Sequence, residues 1–233
     1  MDNIDFIREH YGEQINAFRW LIEERFGYLP NQNSSLLRFG GGTALAIYHF
    51  QHRKSFDIDL FAIDQQVLNY LSPKTWIEES RHFNASEYID QAHHVGLLSN
   101  NNIKVDILVA ADFIEPPLID SSRELFSVDI YVESISDIIA KKIVFRNAQN
   151  KTRDIIDIAV ALSKEPNILV SIVEKGAVSI ENIKTLQSAI NSLNREKYGY
   201  ETEIVEPFDE YQTIAETAPD MILEECSRLI ENF

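Results

Sequence analysis

Apolar positions recur at helical spacing at both ends of this chain and alternate with polar ones near its middle, and that change of period marks out the elements. Across residues 3–26, Ile4, Ile7, Ile15, Phe18, Leu21 and Ile22 are spaced mostly by three, four or seven, which predicts an amphipathic opening helix. Pro30 and the polar run Asn31-Gln32-Asn33-Ser34-Ser35 end it. Leu36-Leu37-Arg38-Phe39 reads as a short strand running into Gly40-Gly41-Gly42-Thr43, and Ala44 to Phe50 reads as helix.

The next run, Ser55-Phe56-Asp57-Ile58-Asp59-Leu60-Phe61, alternates with period two and predicts a strand. Asp57 and Asp59 then share one face, about 7 Å apart along the strand, while Phe56, Ile58 and Leu60 form the face that can be buried. Val67, Leu68 and Leu71 suggest a helix, Lys74 to Arg81 a second one, and His94 to Leu98 a strand. Asn100-Asn101-Asn102 is a turn, and Ile103 to Val109 is a strand with Asp106 opposite in facing to Val105 and Ile107, so a hairpin with 94–98 is expected.

Ile130-Tyr131-Val132 follows the breaker Pro116-Pro117 as another short strand. Ser136 is the expected N-cap of a helix carrying Asp137 in its first turn and Ile138, Ile139, Lys142, Ile143 and Phe145 along it. Lys142 and Arg146 share a face of that helix, while Lys141 falls about 100° round it and is expected in solvent. Thr152 is the expected cap of the next helix, on which Asp154 and Asp157 face one side. Beyond Pro166 the chain reads helical, with apolar stripes at Ile168–Val173, Ile183–Leu193 and Met221–Ile230. The pattern is α/β (α+β): a small mixed sheet flanked by helices over residues 1–133, then a helical C-terminal region over 134–233.

At 233 residues the chain is long enough to bury roughly 70% of its unfolded surface. No uncharged apolar stretch approaches the roughly 18 residues that span a bilayer, and Met1 to Asp5 hold neither a basic leader nor an apolar core, so no membrane partner is expected. The single cysteine, Cys226, can form no internal disulfide or cysteine-rich metal site, which fits a reducing cytoplasm. A net charge of −16 argues against broad nonspecific binding to nucleic acid. The charge is uneven, however: residues 121–163 balance 6 Lys/Arg against 6 Asp/Glu, whereas 164–233 hold 6 against 14. A local cationic surface at Lys141, Lys142, Arg146, Lys151 and Arg153 can therefore hold phosphates within an acidic protein.

Two features carry candidate chemistry. Gly41-Gly42-Thr43 ahead of a helix offers unobstructed backbone N–H groups and a hydroxyl, a combination suited to an anion, although a tight turn capped by Thr43 needs the same residues. Asp57 and Asp59 repel one another unless a cation lies between them, and Mg²⁺ takes oxygen ligands while leaving positions open for water and phosphate. With Asp106 from a second strand they make a three-carboxylate set for one or two Mg²⁺ ions about 3.5–4 Å apart. Exposed edge-strand carboxylates that discourage aggregation are the other reading. Adjacent His93-His94, and His49 and His52 without an H-E-x-x-H context, suggest no metal site. Trp20, Phe39, Phe56 and Phe61 are expected in the core.

Gly41-Gly42-Thr43-Ala44-Leu45, then His52-Arg53-x-Ser55-x-Asp57-x-Asp59-Leu60-Phe61, then Asp137-Ile138-Ile139-Ala140-x-Lys142 and Arg153-Asp154-x-x-Asp157 resemble, in order, the nucleotidyltransferase-like AbiEii/AbiGii toxin family. The resemblance implies a DNA polymerase β-like nucleotidyltransferase core, to whose cleft the C-terminal region contributes Lys142. It implies that Asp57 and Asp59 hold Mg²⁺, with Asp106 less secure as a third ligand, and that Lys142 contacts the triphosphate of an NTP. Asp157, together with Asp154, would assist acceptor activation or orient Lys142. Arg53 and Ser55 become candidates for phosphate contact, beside Gly41, Gly42 and Thr43. A salt bridge for Arg53 and a loop cap for Ser55 are their plainer readings.

The expectation is an Mg²⁺-dependent transfer of a nucleotide from an NTP to an acceptor hydroxyl on an RNA or tRNA end, or on a protein. The resemblance implies a toxin of a toxin–antitoxin or abortive-infection pair, with a cognate antitoxin protein as partner. A silent nucleotide- or protein-binding module on the same fold is the alternative.

Overall fold

The structure, a computed structural model, describes residues 3–232. Met1 and Asp2, which open the segment expected to carry no leader, and Phe233 lie outside the described residues. Two compact units are present: the first takes the chain up to Tyr48 with residues 55–112 and 116–133, and the second takes 49–54, 113–115 and the chain from Ser134.

The first unit is built on a seven-stranded mixed sheet of β1 (Leu37–Gly40), β2 (Ile58–Ala62), β3 (Phe83–Gln91), β4 (His94–Ser99), β5 (Lys104–Val109), β6 (Leu118–Asp120) and β7 (Ile130–Val132). Their order is β3-β4-β5-β2-β1-β7-β6, with β2/β5 and β1/β7 parallel and the other neighbours antiparallel. Alternation fixes the central strands: Ile58, Leu60 and Ala62 on β2, and Val105 and Ile107 on β5, are all buried. Removing each such large side chain from water contributes about 1.5–3 kcal/mol.

Helix α1 (Ile4–Arg25) buries the stripe Ile7, Tyr11, Ile15, Phe18, Leu21 and Ile22. Phe18 stands at its centre, with ring centroids 5.2 Å from Phe39 of β1 and 4.9 Å from Phe126. The helix after β1 begins as α2 (Gly41–Ala44) and widens into a π-type turn over Leu45–Phe50. Helix α3 spans Gln65–Leu71 and is capped by Asp64, whose carboxylate accepts from the Gln66 N–H.

Several sequence expectations change here. β2 starts at Ile58, so Asp57 lies just ahead of the strand, and Phe56, expected in the core, is 55% exposed. Trp20 and Phe61 are half-buried, and only Phe39 of that aromatic set is fully in the core. The helix expected over 74–81 is instead two single 3₁₀ turns, Pro73–Thr75 and Ile77–Glu79, between which the Trp76 indole N–H donates to the Leu71 carbonyl. Residues 83–91 form strand β3 at the sheet's edge, where half-exposed positions leave little alternation to read.

The second unit is helical: α4 (Ile135–Arg146), α5 (Thr152–Lys164), α6 (Ile168–Glu174), α7 (Ile180–Asn191), α8 (Arg195–Val205) and α9 (Gln212–Asn232). α9 buries Ala215, Ala218, Ile222, Cys226 and Leu229 at three- and four-residue spacing and packs on α5 and α7. The N-cap of α4 is Ser134, whose hydroxyl accepts from the Asp137 N–H, and Ser136 lies inside the helix. Thr152 likewise lies inside α5, where its hydroxyl donates to Glu201 rather than capping.

The two short insertions of this unit are fastened by named bonds. The His52 carbonyl accepts from the Phe208 N–H at 2.9 Å, and the Tyr211 hydroxyl donates to the Phe50 carbonyl at 2.8 Å. The Asp137 carboxylate accepts from the backbone N–H groups of Phe113, Ile114 (3.2 Å) and Glu115 (3.1 Å). Lys141, expected in solvent, is buried with its ammonium 5.3 Å from the Phe113 ring centroid, because that insertion covers its side of α4.

Candidate active site

In the first unit, β1, β2 and β5 bring the glycine turn and the carboxylates together. Gly40 is level with Asp59 across the antiparallel β1/β2 pair, and Asp59 is level with Asp106 across the parallel β2/β5 pair. Both carboxylates therefore leave the sheet on the same face. Gly41 has φ of +67°, and a Cβ there would stand 2.1 Å from Asp59 Oδ2. The turn must be glycine on both counts, and its backbone lies directly against the Asp59 carboxylate.

Thr43 is almost wholly buried, and its hydroxyl contacts the Asp57 carbonyl and, at 2.7 Å, the Ser55 hydroxyl. The Ser55 carbonyl accepts from the Gln14 side-chain amide of α1 at 2.7 Å. Thr43 and Ser55 thus tie the glycine turn to the entry of β2, and their hydroxyls point inward. Asp106 is held by two neighbours: His94 Nε2 lies 2.7 Å from Oδ1 and Lys104 Nζ lies 2.7 Å from Oδ2.

Among the described residues, no group of three or more His, Cys, Asp or Glu side chains is arranged to hold a metal ion. A three-carboxylate cage is thus not assembled as the side chains stand. Mg²⁺ is ordinarily held by one or two carboxylates together with substrate phosphates rather than by an all-protein cage. Asp57 and Asp59, partly exposed hard-oxygen donors two residues apart, are a donor set of that kind.

The second unit holds a buried charge network. Asp157 is 0% exposed, and its two oxygens take four donors. Oδ1 accepts from His52 Nε2 and Arg53 Nε, both at 2.7 Å, while Oδ2 accepts from Arg53 Nη2 at 2.8 Å and Lys142 Nζ at 2.9 Å. Lys142 also donates to Asp154 Oδ1 at 2.5 Å, and Arg146 approaches Asp154 Oδ2 at 3.5 Å. Burial alone would push the Asp157 carboxyl up, but Arg53 and Lys142, with the hydrogen bonds from Arg53 and His52, hold it well below the usual carboxylate range. Asp154 is also held low, burial being outweighed by Lys142. The Lys142 ammonium is raised, its burial outweighed by Asp157 and Asp154. Burial pushes His52 down, and Arg53 and Lys142 add to that against the pull of Asp157.

Asp154 and Asp157 are therefore interior groups and not surface acids. Arg53 adopts the salt bridge of its plainer reading. Of the five cations expected to form a local surface, Lys141 and Lys142 are buried, and Lys142 and Arg146 approach Asp154; at the α4–α5 connection Lys151 has its pKa lowered by partial burial and by Arg146 and Arg153. His52 and His94 were missed from the sequence. The one signal for His52 was its place beside Arg53 in the motif leading to Asp57.

A mixed sheet with paired strand carboxylates beside a glycine turn, and a separate helical unit, is the architecture of a nucleotidyltransferase. MenT4, a nucleotidyltransferase toxin from Mycobacterium tuberculosis H37Rv, shares the fold at a TM-score of 0.50 and 15% identity, covering 98% of this chain and 97% of that one. JHP933 from Helicobacter pylori aligns at a TM-score of 0.44 and 13% identity, over 96% of this chain and 94% of that one. Residues 30–197 match the family described as "Nucleotidyl transferase AbiEii toxin, Type IV TA system", and the chain belongs to that family. No curated protein matches the chain. Among the described residues, no helix is long and apolar enough to cross a membrane.

Proposed function

We propose that the protein transfers a nucleotide from an NTP to an acceptor hydroxyl on RNA or protein, with Mg²⁺ bound by Asp57 and Asp59. The observation that carries this reading is the contact of the Gly41 backbone with the Asp59 carboxylate. That contact supports a phosphate bound by main-chain N–H groups next to a cation bound by Asp59. When bound, the ion would polarise the phosphoryl oxygens and neutralise charge developing on pyrophosphate.

The chain's own residues supply the rest. The N–H groups of the Gly41-Gly42 turn orient the triphosphate, while Thr43 and Ser55 keep that turn fixed to the start of β2. In the reaction the acceptor oxygen forms a bond to the α-phosphorus, the bond from that phosphorus to the bridging oxygen breaks, and pyrophosphate leaves. Asp106, engaged by His94 and Lys104, is the third carboxylate of the reading and would bind an ion only by exchanging those partners. Lys142 is the cation assigned to the triphosphate. Asp157 is sealed from solvent, so orienting Lys142 suits it better than taking a proton from the acceptor. The family's type IV toxin–antitoxin description supports a toxin whose partner is a cognate antitoxin protein.

The test is incubation with Mg²⁺, each NTP labelled at its α-phosphate, and total RNA or protein extract. One acceptor class should take up label, chelation should abolish the uptake, and Asp59→Ala should lose it. Undiminished labelling by Asp59→Ala sinks the reading. Wild type that labels nothing yet binds NTP without regard to Mg²⁺ replaces it with the silent binding module.

A further inference from the structure

We propose that His52, as the neutral tautomer protonated on Nε2, is a positioning residue for nucleotide transfer that acts through Asp157 to hold Lys142 in place. The inference rests on the assignment of Lys142 to the triphosphate. A carboxylate offers about four lone-pair sites, and Asp157 fills them with His52, two bonds from Arg53, and Lys142. Losing any donor leaves a buried oxygen under-satisfied and lets the carboxylate turn toward its remaining partners, moving Lys142 with it.

The tautomer follows from the partners. Asp157 is ionised, so the 2.7 Å contact needs a proton on His52 Nε2. Nδ1 is buried and faces no hydrogen-bond partner among the described residues, so a proton there would be an orphan donor. The ring cannot turn to find another. It meets Phe50 edge-on at 5.7 Å and Tyr211 at 6.1 Å, and the Tyr211 hydroxyl is itself anchored to the Phe50 carbonyl.

Charge explains why a neutral donor fills this place. Arg53 and Lys142 already balance Asp154 and Asp157, with Arg146 at the margin. A protonated His52 would put a third cation on Asp157 and weaken its hold on Lys142. The groups facing His52 are Asp157 from α5, Lys142 from α4, Arg53 beside it in the chain, and Tyr211.

Two full-length variants test this. His52→Phe keeps a ring but has no donor, whereas His52→Gln keeps an N–H near the reach of Nε2 and does not titrate. His52→Phe should raise the NTP KM about tenfold, the loss of one buried charge-assisted bond, with a smaller change in kcat. His52→Gln should restore most of that affinity. Wild type should keep its NTP affinity through the ordinary histidine value of about 6.5 and lose it only at lower pH, as folded His52 passes through its lowered value, and His52→Gln should not share that loss.

A folded His52→Phe protein with wild-type KM and only a lower Tm overturns the proposal, as does a His52→Gln protein that keeps the acid loss of affinity. If His52→Phe does not fold, the His52→Gln pH profile decides alone. Asp59→Ala separates the two levels of inference. Full transfer by that variant removes the assignment of the metal ion to Asp59, and a wild type that transfers nothing removes the transfer reading and the His52 role with it. Loss of transfer in Asp59→Ala beside wild-type behaviour in His52→Phe removes the His52 role only.

Discussion

Gly41 answers two demands at once, a left-handed backbone and a missing side chain, and a single methyl group should reveal both. Gly41→Ala places a Cβ 2.1 Å from Asp59 Oδ2 at φ of +67°, so the turn or the carboxylate must move. The expected cost is about 1–3 kcal/mol for the strained conformation, read from denaturant midpoints, with nucleotide transfer falling further than stability does. A variant as stable and active as wild type would show that the close approach has no consequence. Other single residues depart from their sequence reading for reasons equally local. Phe56 is exposed because β2 begins two residues later, so strand alternation does not govern it. Lys141 is buried because Phe113, 28 positions earlier, reaches it, and helical periodicity contains nothing about such a partner.

Among the elements, α4 deserves a direct test because two serines compete for its start. Ser134→Ala should cost about 1 kcal/mol in urea unfolding by removing the acceptor for the Asp137 N–H, and Ser136→Ala should leave that cap intact. Equal cap loss from both would contradict the assignment. Strands β2 and β5 were legible because each buries one face fully and carries a half-buried acid on the other, and period two survives in the residues. The stretch 73–91 was not legible: its turns depend on Pro73 and on the Trp76 indole reaching Leu71, and its strand is an edge whose pairing with β4 comes from outside the segment. The glycine turn and the acidic strand could be read as neighbours from sequence because few residues separate them. The partners of Asp157 could not, because His52 and Arg53 lie 105 and 104 positions away.

For the whole molecule, these buried groups set how stability depends on acid. Asp154 and Asp157 have folded pKa values below their ordinary one, so their stabilisation is complete above about pH 3.8 and is lost as pH falls through the folded values. His52 is lowered too, so folding becomes less favourable once pH drops below about 6.5 and the unfolded imidazole takes a proton. Asp157→Asn should be about 3–5 kcal/mol less stable than wild type at pH 7, and the gap should narrow below about pH 3.8 as the wild-type carboxylate protonates. Urea titrations across that range check it, and a constant gap would place the stabilisation elsewhere. The 104-residue span between Arg53 and Asp157 also has a temporal consequence. At about 5–20 residues per second, a ribosome delivers Asp157 on the order of 5–20 s after Arg53. Throughout that interval the nascent chain carries an arginine and a histidine whose shared carboxylate has not been made, so the Arg53–Asp157 pair can close only once the first half of α5 has been synthesised.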